Sequence, residues 1–381
     1  MRLNKWHLQR KVTTMDDKAK EGRNAWKGFR DLRVSRIVDE EGGGGKIKSF
    51  YLVAADNRPL ADYLPGQFLT VRLPDGTTRN WTMSDWESQD SPSYYRVSIK
   101  KAGVASTWMH NHCDTNTVLS VRSPAGRFFL DRTSILRPVY ISAGIGITPM
   151  LAMMKANKHH PNMQGKPVVW IHVARDGDNF PFHEEILSLF ENNKLFTKVV
   201  FFTKPRPTDD VQGVHYDRAG RPDVEALREI VGAPFTWEPL GGGEMESEGG
   251  FSLTYICGPA EFEKSIRKSL KEDLGFREPL IHSESFSTSG AAAELAGDVK
   301  RARVRFSKSD VSTTWTKEKP LSLLELAESL GLTPDYGCRV GACGSCATRL
   351  TCGSVSGGLQ PDGTVLACSA MPVSEEVVLE M

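Results

Sequence analysis

Residues 336–350 read YGCRVGACGSCATRL and place Cys338, Cys343 and Cys346 at the spacing C-x4-C-x2-C. A fourth cysteine, Cys368, follows within the sequence VLACSA. Four thiolates at this type of spacing hold a 2Fe–2S cluster. The glycines and other small residues between them let the backbone bend round a cluster and direct N–H groups at its sulfurs. The stretch therefore predicts a one-electron redox centre near the C-terminal end of the chain.

Two other uses of these thiols agree less well with the sequence. A structural zinc site usually contains two C-x2-C pairs, whereas one of the gaps here is four residues long. Disulfides need an oxidising compartment, and no secretory apolar segment opens the chain. An iron–sulfur cluster in an intracellular, reducing environment is therefore the favoured interpretation.

The fourth ligand is ambiguous, because Cys352 competes with Cys368 for this role. If residues 347–352 leave the loop as a strand that rises ~3.3 Å per residue, Cys352 lies roughly 20 Å from Cys346. A neighbouring strand can instead bring Cys368 back to the loop. We therefore assign the metal ligands as Cys338, Cys343, Cys346 and Cys368, although the gap before Cys368 is shorter than is usual for plant-type clusters.

Composition excludes several classes of protein. The chain has 381 residues, 39% hydrophobic and 25% charged, which is typical of a globular protein with two or three domains. The formal net charge of +1 gives no overall field for nucleic acid or a membrane surface. We find no apolar run of ~18 residues, so we expect no membrane span.

The N-terminal residues 1–28 form a basic tail. Residues 1–36 carry 11 Lys and Arg against 4 Asp and Glu. A mitochondrial presequence is one interpretation, but acidic residues follow from Asp16 onward and the apolar face is thin. A solvated tail, or the stub of a preceding domain, is the simpler one, and we expect a cytoplasmic protein.

The remaining chain separates into blocks of different pattern. Residues 29–135 contain many short apolar or alternating runs, among them Ile47–Ala54 and Val118–Arg122, which predict the strands of an antiparallel β-barrel with one short helix. Residues 136–286 alternate apolar strands with helical stretches, which predicts a parallel α/β sheet. Residues 287–299 read as a linker of small residues, and residues 300–381 form the block that contains the cysteines.

A glycine-containing turn in the second block indicates nucleotide binding. GIGITP, at 144–149, follows the predicted strand Val139–Ser142 directly. Gly144 and Gly146 let the backbone approach a pyrophosphate, Thr148 can cap the following helix, and Pro149 suits its first turn. The N-terminus of that helix then attracts phosphate. A tight turn without a ligand is the plainer alternative.

Other motifs fall where a redox cofactor would need them. LTYICGP, at 253–259, ends another strand of the same predicted sheet, at the edge where such sheets bind ligands. In the first block, RNWTMS at 79–84 offers a cation, an aromatic ring and hydroxyls near a strand end. GVAS at 103–106 opens the short helix and offers a second phosphate site. Taken singly, each of these motifs is as consistent with ordinary packing or a turn.

Together these motifs resemble the ferredoxin–NADP reductase superfamily with a fused C-terminal ferredoxin domain. RNWTMS resembles its flavin motif, GVAS its second phosphate motif, GIGITP its nicotinamide-nucleotide motif, CGP its nicotinamide-side motif and HSESF at 282–286 its terminal segment. The reductase half is most similar to that of flavohaemoglobins. The domain order resembles phthalate dioxygenase reductase and the reductase portion of fungal proteins with an upstream molybdenum-cofactor (MOSC) domain.

The resemblance implies a multidomain fold and an electron path. It implies an FAD-binding β-barrel, an NAD(P)-binding α/β domain and a β-grasp ferredoxin domain. Electrons would pass from NADH or NADPH through FAD, with FMN as the alternative, to the 2Fe–2S cluster and then to an acceptor such as an oxygenase. The alternative function is an electron-transfer module that works only with a partner or fused domain, such as a MOSC domain.

The resemblance also implies roles for individual residues. Catalytic support would come from Thr82, Cys257 and Glu284. Cofactor contacts would come from Arg79, Asn80, Trp81, Thr82, Ser84, Gly103, Val104, Ala105, Ser106, Gly144, Gly146, Thr148, Pro149, Cys257, Gly258, Pro259 and Phe286.

Two departures from the family pattern matter. Trp81 stands where the family usually has tyrosine against the flavin, so it can stack but lacks a phenol. Thr203-Lys204-Pro205 stands where Ser-Arg-Pro is common, so a pocket for a 2′-phosphate is not clearly encoded. We therefore expect NADH to be preferred, or the preference to be small.

Overall fold

The computed structural model describes the chain from residue 22 onward with internal gaps. The residues outside its description are 1–21, 88–90, 135, 159–166, 192, 238–244, 286–298, 337–338, 340, 342–343 and 361. The chain forms two compact units. The first comprises the described residues of 1–77, 81–124 and 128–287, and the second those of 78–80, 125–127 and 288–381.

A six-stranded antiparallel sheet begins the chain. Its spatial order is β4-β3-β6-β1-β2-β5, and a bridge between Met83 and Val97 joins the end of β4 to β5, which closes the sheet into a barrel. Its elements are β1 (Phe29–Asp39), β2 (Ile47–Ala54), β3 (Phe68–Arg72), β4 (Thr78–Thr82), β5 (Tyr95–Lys100), helix α1 (Val104–His112) and β6 (Val118–Arg122).

The barrel is held together by the inward-facing side chains of its strands. Phe50, Leu52, Val97 and Leu119 are buried, and each comes from a strand whose apolar residues were apparent in the sequence. Two of the predicted strands, Ile47–Ala54 and Val118–Arg122, have the observed bounds.

A six-stranded parallel sheet follows in the order β10-β9-β8-β7-β13-β14. Helices cover both faces of this sheet, and a separate hairpin pairs β11 with β12. The elements are β7 (Pro138–Ala143), α2 (Ile147–Lys158), β8 (Val168–Ala174), α3 (His183–Leu189), β9 (Phe196–Phe202), β10 (Arg218–Ala219), α4 (Val224–Leu227), β11 (Phe235–Trp237), β12 (Met245–Ser247), β13 (Leu253–Gly258), α5 (Ala260–Lys268) and β14 (Ile281–Ser285).

The C-terminal part contains a mixed five-stranded sheet in the order β16-β15-β21-β17-β19. One helix packs its leucines on this sheet, and a Ser322–Glu325 capping box fixes where that helix begins. The elements are β15 (Arg301–Phe306), β16 (Val311–Thr316), α6 (Leu323–Ser329), β17 (Ala347–Cys352), β18 (Val355–Ser356), β19 (Thr364–Leu366), β20 (Met371–Pro372) and β21 (Glu376–Leu379).

These sheets confirm the predicted fold class: an antiparallel barrel, a parallel α/β sheet and a mixed-sheet ferredoxin-type domain. The boundaries predicted for the domains and the linker stay predictions. In the part of the chain that the structure describes, no helix is long and apolar enough to cross a membrane.

A glycine lets a barrel loop pack against helix α2. Gly66 has a left-handed backbone with φ of +105°, and a Cβ atom there would lie 2.5 Å from both Met153 Cε and the Phe128 carbonyl oxygen. Gly76, in another barrel loop, has φ of +83° and open space around the same position. The two glycines therefore separate the cost of the backbone conformation from the cost of crowding.

We predict that Gly66→Ala destabilises the protein more than Gly76→Ala does. The control should lose ~1 kcal/mol for a left-handed alanine, and Gly66→Ala a further ~1–3 kcal/mol for overpacking. Urea unfolding of the intact protein measures both. Equal losses for the two variants would show that the loop yields to the added methyl group and that the contact with α2 is not tight.

Candidate cofactor sites

The nucleotide loop is the tight turn between β7 and α2. Gly144 has φ of +53° and open space beside it, and the chain then makes one 3-10 turn before α2 begins at Ile147. A Cβ atom on Gly146 would lie only 2.2 Å from the Cys257 carbonyl oxygen. The loop therefore packs directly on the end of β13, which brings the GIG and CGP motifs together at one edge of the sheet.

Two side chains of this loop can be compared with their expected roles. The hydroxyl of Thr148 donates to the Ile145 carbonyl oxygen at 3.0 Å, so it fixes the 3-10 turn. The expectation that it caps the helix was wrong, because α2 already includes residue 148. Pro149 is the third residue of α2, in the first turn, where its missing N–H leaves no helical hydrogen bond unmade.

A row of polar side chains crosses four neighbouring strands just below this edge. His172, Ser142, Cys257 and Glu284 occupy successive paired positions on β8, β7, β13 and β14. Paired residues of parallel strands share a face of the sheet. Ser142 Oγ lies 2.8 Å from His172 Nδ1 and also accepts from Trp170 Nε1 at 3.2 Å. These four polar side chains therefore lie together beneath the nucleotide loop.

Burial keeps this row largely uncharged. Cys257 is fully buried, and burial, followed by the nearby charge of Glu284, raises the pKa of its thiol well above the usual value. His172 is also fully buried, which lowers its pKa to about 3. At neutral pH the row therefore contains a protonated thiol and a neutral imidazole beneath the nucleotide loop.

The end of β13 turns directly into α5. Gly258 is buried, and a Cβ atom there would lie 2.7 Å from Phe262 Cδ1, so the turn has no room for a side chain. Pro259 precedes the first residue of α5. The last predicted contact, Phe286, lies outside the described residues.

Along β4, the side chains of the predicted flavin motif become progressively more buried. The Arg79 side chain is exposed and donates to the Thr78 carbonyl oxygen, while Asn80 and Trp81 are half-buried. Thr82 is buried on the same strand. A strand with one end in solvent and the other in the barrel can thus offer a charged and an apolar contact to one ligand.

Ser84 ends the motif deep inside the barrel. Its hydroxyl lies 2.6 Å from that of Ser98, which in turn lies 2.6 Å from that of Ser49. All three serines are buried. The sequence predicted Ser84 as a cofactor contact but gave no indication of its partners. Ser84 therefore has a structural role, because its hydroxyl hydrogen-bonds to that of Ser98 inside the barrel.

The second phosphate motif forms the start of α1. Ser106 Oγ accepts from the backbone N–H groups of Ala102 and Gly103, both at 2.9 Å. Ala105 is buried, whereas Val104, the first residue of the helix, is 84% exposed. The open N-terminus of α1 has the positive potential that attracts phosphate.

Two of the predicted cluster ligands lie close together in the second unit. Cys346 and Cys368 are buried, and the backbone of Ala367 donates to the Cys346 carbonyl oxygen at 3.2 Å. Gly341 N–H donates to Cys368 Sγ at 3.1 Å. Such an N–H to sulfur contact is what a cluster thiolate receives. Cys338 and Cys343 lie outside the described residues.

Cys352 is placed differently. It is exposed at the end of β17, the strand that begins next to Cys346, and its register partner is Val378 on β21. The antiparallel strand β19 runs back along β17 and leads to Cys368. This geometry supports Cys368, rather than Cys352, as the fourth ligand.

Comparison with known proteins identifies two domain families in this chain. The oxidoreductase NAD-binding domain family matches residues 140–268, and the 2Fe-2S iron-sulfur cluster binding domain family matches residues 308–373. A flavohemoprotein of Bordetella pertussis is 33% identical over 275 residues, which are 70% of this chain and 63% of that protein. The chain belongs to the ferredoxin–NADP reductase superfamily. Its 2Fe–2S domain is at the C-terminal end.

Two solved structures share the fold of this superfamily member over nearly its whole length. Phthalate dioxygenase reductase is 21% identical with a TM-score of 0.56, covering 97% of this chain and 100% of that one. An intact type IV self-sufficient cytochrome P450 monooxygenase is 18% identical with a TM-score of 0.68, covering 93% of this chain and 41% of that one. The flavohemoprotein, in turn, is matched over less than two thirds of its length.

The residues of this superfamily member fit the three groups that the family implies. The glycine turn leaves open space at Gly144 for a pyrophosphate. The barrel offers a half-buried aromatic ring at Trp81 beside a buried hydroxyl at Thr82. The Gly341 N–H already points at the Cys368 sulfur. FAD, NAD(P)H and a 2Fe–2S cluster are therefore consistent with the side chains present.

We predict that Cys368→Ser abolishes the visible absorbance of the cluster and that Cys352→Ser leaves it unchanged. The physical reason is that Cys368 is buried beside Cys346, whereas Cys352 faces solvent. Absorbance and electron paramagnetic resonance of the dithionite-reduced proteins measure this. A cluster that survives Cys368→Ser and is lost in Cys352→Ser would reverse the ligand assignment.

Proposed function

We propose that this chain is an NAD(P)H-dependent oxidoreductase that carries electrons from NAD(P)H through FAD to its 2Fe–2S cluster and on to a protein acceptor. The observation that carries the proposal is the contact between Gly146 and the Cys257 carbonyl, which joins the phosphate loop and the buried thiol in one site. The same chain also contains the cluster domain. NAD(P)H oxidised at the nucleotide site can thus supply electrons to the cluster of the same chain.

The chain's own residues would bind and orient the reactants. The Gly144 turn and the N-terminus of α2 would hold the nucleotide pyrophosphate. The N-terminus of α1 and Arg79 would hold the flavin phosphates, with Trp81 against its ring system. Bound FAD would supply the conversion between a two-electron donor and a one-electron centre.

Three residues are proposed to support the reaction itself. The buried Thr82 hydroxyl can donate a hydrogen bond to the flavin. Cys257, which is fully buried and protonated, would position the nucleotide loop that its carbonyl contacts. Glu284 lies beside Cys257 in the strand register, where its negative charge favours a developing positive ring.

The proposed acceptor is an oxygenase. Two proteins that share this fold are named as a phthalate dioxygenase reductase and a cytochrome P450 monooxygenase. An electron-transfer module that is inactive without a partner or a MOSC domain is not favoured, because both the nucleotide-binding and the cluster-binding families match within this one chain. A cytoplasmic location also stays a prediction.

The proposal predicts that NADH or NADPH reduces both the flavin and the cluster of the isolated chain. Anaerobic stopped-flow absorbance should show the flavin bleach first and the cluster bleach next. Acid-released flavin should chromatograph as FAD. A flavin that is reduced while the cluster stays oxidised would contradict the path, and a single FMN peak would contradict the choice of flavin.

The preference between the two nucleotides depends on the arginines near the end of β9. Arg206 follows that strand, but its guanidinium is already paired: Nη2 lies 2.8 Å from Asp210 Oδ1 and Nη1 lies 2.7 Å from Asp178 Oδ1. The hydrogen bonds from Arg206 lower the pKa of Asp210 to about 2. Arg206 is therefore balanced by carboxylates that would repel a 2′-phosphate.

Arg221 is a second arginine that bears on the preference between NADH and NADPH. An open cleft of about 500 Å³ lies beyond β10 and is lined by Arg218, Arg221, Arg228, Asp223, Glu225 and Glu229, among others. Arg218 pairs with Glu229 and Arg228 with Glu225, both at 2.7 Å. Among the described residues, Arg221 has no ion-pair partner within 4 Å, and it can approach a phosphate.

We predict that NADH is preferred or that the preference is small, and that Arg221→Ala lowers kcat/KM more for NADPH than for NADH. Arg228→Ala, which removes a paired arginine from the same cleft, serves as the control and should not change the ratio. Steady-state kinetics with both donors measures this. A ~100-fold preference for NADPH, about 2.7 kcal/mol of transition-state binding, would contradict the balance assigned to Arg206.

A further inference from the structure

Four charged side chains form a ring in the first unit, which we call the ionic ring. Asp85 directly follows the flavin motif and Arg96 lies on β5, so both belong to the barrel. Lys155 lies on α2 and Glu185 on α3, so both belong to the parallel α/β part. The ring therefore links the two parts of the molecule that the proposed reaction must bring together.

The ring is closed and neutral. Arg96 Nη1 lies 3.1 Å from Glu185 Oε2, and Lys155 Nζ lies 2.5 Å from Glu185 Oε1. Lys155 Nζ also pairs with Asp85 Oδ1, and Arg96 Nε lies 3.7 Å from Asp85 Oδ2. Positive and negative groups alternate, so each charge has two opposite neighbours. The Arg96 and Asp85 side chains are 5% and 9% exposed, so they are little screened by water.

The barrel side of the ring holds the end of the flavin motif. The Arg96 guanidinium donates to the Ser84 carbonyl oxygen and, through Nε at 3.1 Å, to the Ser84 hydroxyl. Asp85 accepts from the Tyr94 hydroxyl at 2.8 Å, and its carbonyl accepts from the Tyr63 hydroxyl at 2.7 Å. The backbone at residues 84–85 is therefore fixed by groups that belong to or contact the ring.

The other side of the ring holds the helix that starts at the nucleotide loop. Lys155 is eight residues beyond Ile147, the first residue of α2, which corresponds to ~12 Å along a helix. Because a helix is stiff over this length, fixing Lys155 also fixes the loop at its start. The segment before Glu185 is held in an unusual conformation: buried Phe182 has φ of +60° and lies under the Arg96 guanidinium at 5.5 Å.

We propose that the ionic ring is the device that sets the flavin motif and the nucleotide loop at their working separation, with Lys155 and Arg96 as positioning residues. The proposal rests on the proposed function, since it concerns the meeting of nicotinamide and flavin. Replacing a whole buried ion pair by apolar side chains is often neutral, but removing one partner is strongly destabilising because the other charge is left unpaired. Such a ring therefore suits a role in orientation.

Lys155→Met tests the proposal, with Lys158→Met as the matched control. Lys158 lies on the same helix but is exposed, so its loss removes a charge without opening the ring. Lys155→Met should retain FAD and the cluster but reduce the limiting rate constant of flavin reduction by NADH ~10-fold or more, because small misplacements of reacting groups are costly. The dissociation constant for NADH should change less than twofold, and Lys155→Arg should restore much of the rate.

A second readout does not depend on turnover. Amide hydrogen exchange at residues 84–86 and 182–186 should be faster in Lys155→Met than in the wild type, and unchanged in Lys158→Met. The double variant Lys155→Met with Glu185→Gln leaves Asp85 and Arg96 as a neutral pair. It should reduce flavin no more slowly than Lys155→Met alone, because partners in one network are not additive.

The outcomes separate this proposal from the proposed function. If Lys155→Met melts earlier but its folded fraction reduces flavin at the wild-type rate, the ring is structural only and the proposal is overturned. If neither nucleotide reduces the wild type, the proposed function fails, and unchanged hydrogen exchange would then reject the ring as well. If Lys155→Met does not fold, Glu185→Gln carries the same expectations for rate and exchange.

Discussion

The close approach of two backbones at the carboxyl edge of the parallel sheet is the constraint on which the nucleotide site depends. Gly146 lies against the Cys257 carbonyl at a distance that admits no side chain. Since α2 begins directly after Gly146, the position of that helix depends on this contact. The buried thiol and the phosphate loop are thereby parts of one rigid site, and the polar row from His172 to Glu284 lies directly beneath it.

Much of the fold follows from local pattern. The strands Ile47–Ala54 and Val118–Arg122 were predicted with their observed bounds because one side of each faces the barrel core. The edge strand Ile281–Ser285 was not predicted, because only Ile281 in it is fully buried and its sequence, IHSES, contains no apolar run. A strand at a sheet edge can hydrogen-bond to its neighbour without the apolar pattern that sequence reasoning depends on.

The candidate sites likewise include features that the local sequence predicts and features that it does not. Glycines with special backbone requirements were found from sequence, since their spacing reflects a local turn. The ionic ring was not, because Asp85 and Lys155 are 70 residues apart and Arg96 stands at a polar position of the alternating strand YRVSIK. Alternation of this kind predicts an exposed side chain, so the burial of Arg96 had no local signal in the sequence. Thr148 was given the wrong role, since a capping residue and the second residue of a helix look alike in sequence.

The exposed position of Cys352 has a practical consequence for measuring distances in this molecule. Burial raises the pKa of the Cys113 thiol to about 12 and raises that of the Cys257 thiol well above its usual value, so neither reacts readily as a thiolate. Of the described cysteines outside the cluster loop, Cys352 alone is exposed. A spin label attached there would sit at the far end of β17, roughly 20 Å along the strand from Cys346. Dipolar coupling between label and cluster would then report any movement of that strand during electron transfer.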